Sequence, residues 1–131
     1  MKKKRTFIIL ILLVIFVMVL IDTFRPIKIS IDTERVEEIN IYDIGSEKSV
    51  DISDKEKIEE YSREINNLQV KKKKLVSNSS ADGIIIIPKD KAGNVMETIY
   101  LSDKGIIYHN WLVDITDGSN PYEKFIRELN N

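Results

Sequence analysis

Four consecutive lysines form the densest charge cluster in the chain outside its first residues: Lys71, Lys72, Lys73 and Lys74. A cluster of this kind attracts anionic surfaces, such as lipid head groups or a phosphate-bearing wall polymer. The same pattern suits an edge strand, because lysines there discourage pairing with other chains. The sequence therefore predicts an edge strand or an anionic-surface contact at this position.

Three aromatic residues, Tyr100, Tyr108 and Trp111, fall on neighbouring predicted strands. Tyrosine and tryptophan are favoured at binding interfaces, since they bury a large area at small entropic cost. They also pack as cross-strand pairs inside ordinary sheets. The three residues are candidates for contact with a partner.

Candidates for catalysis are few. The only histidine, His109, stands beside Asn110 at a predicted turn and is expected to be exposed. The acidic pairs Glu37-Glu38 and Glu59-Glu60 consist of adjacent residues, which do not face each other on a strand or a helix. Without cysteine the chain has no thiol chemistry and no thiolate zinc site. We expect no enzymatic activity and no cofactor.

Oxygen ligands for a metal occur in one stretch, at Asp114, Asp117, Asn120 and Glu123. Calcium prefers such oxygens, but the spacing differs from that of an EF-hand loop. A simpler interpretation is that Asp114 ends a strand while Asn120 and Glu123 cap a helix. No metal site is expected.

The chain begins with an unbroken apolar run from Phe7 to Ile21, which determines where these residues are located in the cell. It is preceded by Lys2, Lys3, Lys4 and Arg5. Extended from Thr6 to Phe24, a helix here is about 28 Å long, close to the thickness of the hydrocarbon core. The segment after Ile21 is bulky and charged, unlike the small residues of a signal-peptidase site. The run therefore predicts a retained anchor, with a cleaved signal and secretion as the alternative.

The charges predict the orientation. Basic residues before the run favour a cytoplasmic N-terminus, so residues 1–24 are expected to be the tip and anchor and residues 25–131 an extracytoplasmic domain. That domain carries 16 basic and 20 acidic residues, because the remaining four basic residues and Asp22 precede it. A net charge of about −4 argues against nucleic acid as a partner.

Periodicity and turn signals outline the domain. Strands are expected over 27–31, 36–44 and 50–52. A helix follows that opens with the capping-box sequence Ser53-Asp54-Lys55-Glu56. The lysine-rich segment 70–75 is expected to be the next strand. Residues 76–82 read as a loop, and 83–115 as an antiparallel meander. Asn120 and Pro121 open a short final helix. The prediction is an α+β fold: a hairpin plus a meander in one sheet, a capped helix packed on it, and a C-terminal helix.

This order of parts resembles a family of unknown function, made up of small membrane-tethered or exported proteins of low-GC Gram-positive bacteria. The likeness spans residues 36–129, from the hairpin segment Val36–Asp43 through Ile99–Tyr108 to the closing Tyr122–Ile126 helix. It implies a compact α+β domain at the cell envelope and implies no activity.

The leading hypothesis is a membrane-anchored extracytoplasmic domain that binds an envelope protein or polymer. A second is a small cell-wall hydrolase that uses carboxylates. A third is a regulatory or immunity-type partner of another membrane protein, acting partly through the span Phe7–Ile21.

Overall fold

The computed structural model describes residues 2–77 and 82–131. Three helices and seven strands follow the order α1 Lys2–Phe24, β1 Glu38–Asp43, β2 Ser49–Ile52, α2 Lys55–Asn66, β3 Gln69–Leu75, β4 Ile84–Lys89, β5 Ile99–Ser102, β6 Gly105–Tyr108, β7 Trp111–Asp117 and α3 Tyr122–Leu129. The chain is an α+β protein, as the sequence predicts, with an apolar N-terminal helix. Residues 78–81, within the expected loop 76–82, lie outside the described part.

All seven strands form one antiparallel sheet in the order β2-β1-β4-β5-β6-β7-β3. The hairpin β1–β2 and the meander β4–β7 are both confirmed. The lysine strand β3 pairs with β7 and forms one edge of the sheet. The chain therefore travels from that edge back to the middle of the sheet between β3 and β4.

One face of the sheet carries the core. Alternate residues along the strands are fully buried there, for example Ile39, Ile41, Ile84, Ile86, Ile99, Leu101, Ile106 and Val113. Both α2 and α3 supply side chains to this core, including Ile65 and Phe125. Two helices thus cover the same face, as amphipathic helices on an antiparallel sheet must to bury their apolar stripes.

The opposite face carries a ladder of large side chains in register across five strands. Tyr42 pairs with Ile85, Ile85 with Tyr100, Tyr100 with Ile107, and Ile107 with Leu112. Each of these residues is half-buried. Their lateral packing explains why β4 reads as a continuous run of isoleucines rather than as an alternating strand.

The expected strand over 27–31 is wrong. Ile29 and Ile31 are buried in the core, so the alternation is real, but the segment pairs with no strand in the part of the chain that the structure describes. The Asn66 side chain replaces a partner strand: its Oδ1 accepts from the Ile31 N–H at 2.7 Å, and its Nδ2 donates to the Ile31 carbonyl at 2.9 Å. The backbone groups of Ile31 are therefore satisfied without pairing.

Both helix starts differ from expectation by one residue. The α2 cap is Asp54, not Ser53, and the Asp54 carboxylate accepts from the Glu56 and Lys57 N–H groups. Helix α3 begins at Tyr122, and the Asn120 side chain accepts from the Tyr122 N–H at 3.0 Å. At α2 the neighbours Ser53 and Asp54 both carry an oxygen that can cap, so sequence alone places that start only approximately.

Candidate functional site

The four lysines of β3 do not all lie on one face of the sheet. Lys71 lies opposite Asp114, and Lys72 lies opposite Val113, so these neighbours occupy opposite faces of the sheet. A register shift between Lys72 and Lys74 then interrupts the alternation. The Lys73 ammonium lies 3.7 Å from the Asp114 carboxylate, in an exposed ion pair of small energetic weight.

Lys72 makes two specific contacts, one with the end of α1 and one with Trp111. Its ammonium donates a hydrogen bond to the backbone carbonyl of Asp22, in the last turn of α1. The same nitrogen lies 4.7 Å from the centre of the Trp111 ring, in a cation–π contact. Carbonyls in the last helical turn lack intrahelical partners, so a lysine here satisfies one of them and suits the negative end of the helix. The edge of the sheet is thereby joined to the end of α1.

The three candidate aromatic residues separate into two groups. Tyr108 and Trp111 are directly paired across the β6–β7 turn and lie on the same side of the sheet. Tyr108 is buried and Trp111 half-buried. Tyr100 belongs to the ladder on the opposite face, between Ile85 and Ile107. The structure thus brings Tyr108 and Trp111 together with Lys72 and leaves Tyr100 apart.

Lys72, Tyr108 and Trp111 line a cleft of about 530 Å³ at the end of α1. We call it the α1-exit cleft; its other lining residues are Asp22, Arg25, Pro26, Ile27, Lys28 and His109. Three of the nine lining residues are basic and one is acidic. The cleft therefore combines an excess of positive charge with an aromatic wall, a combination that suits an anionic ligand.

Arg25 and Lys28 of this cleft were not among the residues singled out from the sequence. Both follow the apolar run within seven residues of Ile21, and both are exposed. Their closeness to the end of α1 was the available signal. The strand expected over 27–31 pointed to a different position for Lys28, because a strand would have carried this lysine away from the end of α1.

A second cluster of polar side chains lies at the β6–β7 turn. The Nε2 of His109 lies 3.2 Å from a Glu97 carboxylate oxygen, and both side chains are partly exposed. Burial is the main cause that raises the pKa of the Tyr108 hydroxyl, followed by the charge of Glu97. His109 and Asn110 both have positive φ, as a two-residue turn between twisted strands requires. As expected from the sequence, His109 is an exposed turn residue.

Helices α2 and α3 are joined by ion pairs. The Lys124 ammonium contacts Glu60 and Glu64, and the Lys57 ammonium lies 3.2 Å from Glu128. The buried Tyr61 donates its hydroxyl proton to Glu128. This hydrogen bond is the largest cause that lowers the pKa of Glu128, with Lys57 also contributing. A carboxyl that serves as a general acid needs a raised pKa, whereas the pKa of Glu128 is lowered.

The stretch considered for calcium has other partners. Asp114 contacts Lys73, and an Asp117 carboxylate oxygen accepts a hydrogen bond from the Gly118 N–H. The Asn120 side chain accepts from the Tyr122 N–H and donates to the Ser102 carbonyl. Across residues 2–77 and 82–131, no three histidine, aspartate or glutamate side chains are grouped in a way that would hold a metal ion. The Asp117 and Asn120 oxygens instead fix the turn that leads into α3, whereas Asp114 pairs with β3.

No family model, curated protein or solved structure matches the chain. The resemblance to the Gram-positive family stays an expectation from the sequence. The α1-exit cleft is therefore interpreted from its own residues.

Proposed function

We propose that this chain is a single-pass bacterial membrane protein whose residues 25–131 form an extracytoplasmic domain that binds an envelope protein or polymer, without enzymatic activity. The observation that carries the proposal is α1. It has 23 residues, none of its side chains is buried, and an 18-residue window within it has a mean hydropathy of 3.1. Leaving this surface in water is unfavourable, and a bilayer removes the cost.

The length of α1 suits an anchor. At about 1.5 Å per residue the helix extends roughly 34 Å, against about 30 Å for the hydrocarbon core. The basic residues of its first turn then reach the cytoplasmic head groups. A signal peptide has the same composition, so secretion after cleavage is the alternative location.

Binding rather than catalysis is favoured by the state of the carboxyl groups. Where the pKa of a carboxyl is shifted in the described residues, as at Asp90 and Glu128, it is lowered. The first cause at Asp90 is a hydrogen bond from the Asn94 backbone. Such groups stay ionised at neutral pH, whereas the hydrolase hypothesis requires one protonated acid beside an ionised partner.

Cysteine labelling tests the anchor and its orientation. The natural chain has no cysteine, so single substitutions report without background. Asp103→Cys places a thiol on the exposed β5–β6 turn, and Lys3→Cys places one before the apolar run. In intact cells a membrane-impermeant maleimide should label Asp103→Cys, while Lys3→Cys should react only after permeabilisation.

The mass of the labelled protein in the same experiment separates anchor from signal. A full-length product that stays in the membrane after carbonate extraction supports the anchor. A shortened product in the medium would replace it with the secreted alternative. Labelling of Lys3→Cys, and not of Asp103→Cys, in intact cells would reverse the orientation and overturn the extracytoplasmic domain.

A further inference from the structure

The position of the α1-exit cleft relative to α1 suggests what it binds. Asp22 contributes to both the last turn of the helix and the wall of the cleft, and Arg25 and Lys28 follow within a few residues. If α1 crosses the membrane, as proposed above, the cleft lies where the hydrocarbon core gives way to the lipid head groups. The inference that follows rests on that proposed function.

The charges of the cleft suit a phosphate. The cleft has three basic side chains, from Arg25, Lys28 and Lys72, against one acidic side chain from Asp22. An ammonium has three donors, and Lys72 uses one on the Asp22 carbonyl, which leaves two for a ligand. The guanidinium of Arg25 can grip a phosphate through two parallel hydrogen bonds. The excess positive charge is local, since the domain as a whole is acidic.

The apolar surroundings favour a lipid over a soluble anion. Trp111 forms one wall of the cleft, and tryptophan is enriched at the depth of lipid head groups. On the helix side, Ile21 and Phe24 are exposed and available to acyl chains. A ligand that fills the cleft with its head group can therefore extend its tails along α1.

We propose that the α1-exit cleft binds the phosphate of an anionic phospholipid, with Arg25, Lys28 and Lys72 as its cationic ligands and Trp111 beside the head group. The site would fix the domain against the membrane in one orientation. The lysines on the other side of β3, Lys71 and Lys73, are outside it.

Trp111 gives the experiment a direct probe, because it is the only tryptophan in the chain. The full-length protein is reconstituted into bilayers that contain phosphatidylglycerol or phosphatidylcholine with brominated acyl chains, and quenching of Trp111 fluorescence gives the relative association constant of the two lipids. We expect phosphatidylglycerol to be preferred. Flotation with phosphatidylcholine vesicles after a carbonate wash first establishes that the protein is embedded.

Charge-removing variants locate the site. The double variant Arg25→Gln/Lys28→Gln removes two exposed cations of the cleft. The control Lys71→Gln/Lys73→Gln removes the same amount of charge from β3, at positions outside the cleft. Each cleft cation removed should lower the relative association constant about five-fold. The control should change it by less than about two-fold, because those lysines act only through screened surface charge.

Each contrary outcome has a distinct meaning. Failure to float overturns the membrane anchor, and the lipid site with it. Flotation with equal quenching by both lipids, or an equal loss in the two double variants, overturns the lipid site alone. Glycerol phosphate added to protein in phosphatidylcholine bilayers is the last arm. If it shifts Trp111 emission and Arg25→Gln/Lys28→Gln abolishes the shift, the ligand is a soluble phosphate and the lipid assignment is wrong.

Discussion

A single amide side chain holds the segment that connects α1 to the sheet. Asn66, in the last turn of α2, makes two hydrogen bonds to the backbone of Ile31, 35 residues earlier. Ile31 is buried, so its N–H and carbonyl cannot turn to water instead. The position of Arg25 and Lys28 beside the cleft depends on this attachment, because the segment has no strand partner.

Replacing Asn66 tests this attachment. Asn66→Ala leaves a buried donor and acceptor unpaired and should lower the free energy of unfolding by about 2–3 kcal/mol. Asn67→Ala is the matched control, since Asn67 is exposed and should change stability by less than about 0.5 kcal/mol. Urea unfolding of the full-length protein in detergent, followed by Trp111 fluorescence, measures both. Equal effects of the two substitutions would contradict the role of Asn66.

The residues of the candidate site were only partly predictable from the sequence. Lys72 and Trp111 stand out by type, as a member of a lysine run and as the only tryptophan. The Lys72 ammonium lies 4.7 Å from the centre of the Trp111 ring, and this contact depends on the register of β3 against β7. Tyr100 lies on the other face of the sheet. A one-residue slip exchanges the faces of a strand, and no local pattern determines register between distant strands.

Among the elements, α2 and α3 are coupled through Tyr61. Its ring packs on Phe125 at 4.8 Å between centroids, and its hydroxyl donates to Glu128. Phe125 is fully buried, so the pair joins the core to the charged network at the helix surfaces. The two helices therefore act as one layer over the sheet.

Removal of the Tyr61 hydroxyl should weaken that layer in a pH-dependent way. Because the folded-state pKa of Glu128 is lowered, its contribution is present above the usual carboxyl value of about 4.5 and is lost as the pH falls through the folded value. We expect Tyr61→Phe to cost about 2 kcal/mol at pH 7. The difference from the natural protein should narrow below pH 4.5. Urea unfolding at a series of pH values measures it.

Tyr42→Phe is the control for this series. Tyr42 is half-buried in the ladder on the other face of the sheet, away from Glu128. Its loss should change stability by less than about 0.5 kcal/mol, equally at every pH. A pH-independent cost for Tyr61→Phe would mean that the hydroxyl acts through packing and not through the ionised carboxylate.

The strands show which elements can be derived from sequence. Turn residues and alternation identify the β1–β2 hairpin and the β4–β7 meander, because these pairings are local. The lysines identify β3 as an edge strand. Its pairing with β7 is different, since the partners Gln69 and Asp117 are separated in the chain by three other strands, β4, β5 and β6. Such long-range contacts depend on the whole topology and leave no local signal.

At the scale of the molecule, α1 and the domain are nearly independent in structure. The helix contributes no buried residue, and Lys72 provides a hydrogen bond to its last turn. The core is formed by residues from Ile29 onward. If α1 is the proposed anchor, it determines where the domain lies and contributes little to whether the domain folds.

Deletion of residues 1–24 tests that independence. Residues 25–131 should stay in the supernatant after ultracentrifugation and unfold with a free energy within about 1 kcal/mol of the full-length protein, because the lost contact is at the surface. The intact chain should sediment with membranes. A truncated protein that aggregates, or a full-length chain that is freely soluble in the cytoplasm, would contradict the separation of anchor and domain.

The placement of β3 beside β7 has a consequence for biogenesis. If residues 25–131 cross a membrane behind a cytoplasmic N-terminus, as proposed above, Lys71 emerges well before its ladder partner Asp114, and Phe125 of the core arrives later still. The β1–β2 hairpin can form as soon as it emerges, because its pairing is local, whereas β3 has to wait for β7. On that route the seven-stranded sheet can be completed only after β7 has crossed, so closure of the β3 edge would be the last step of its assembly.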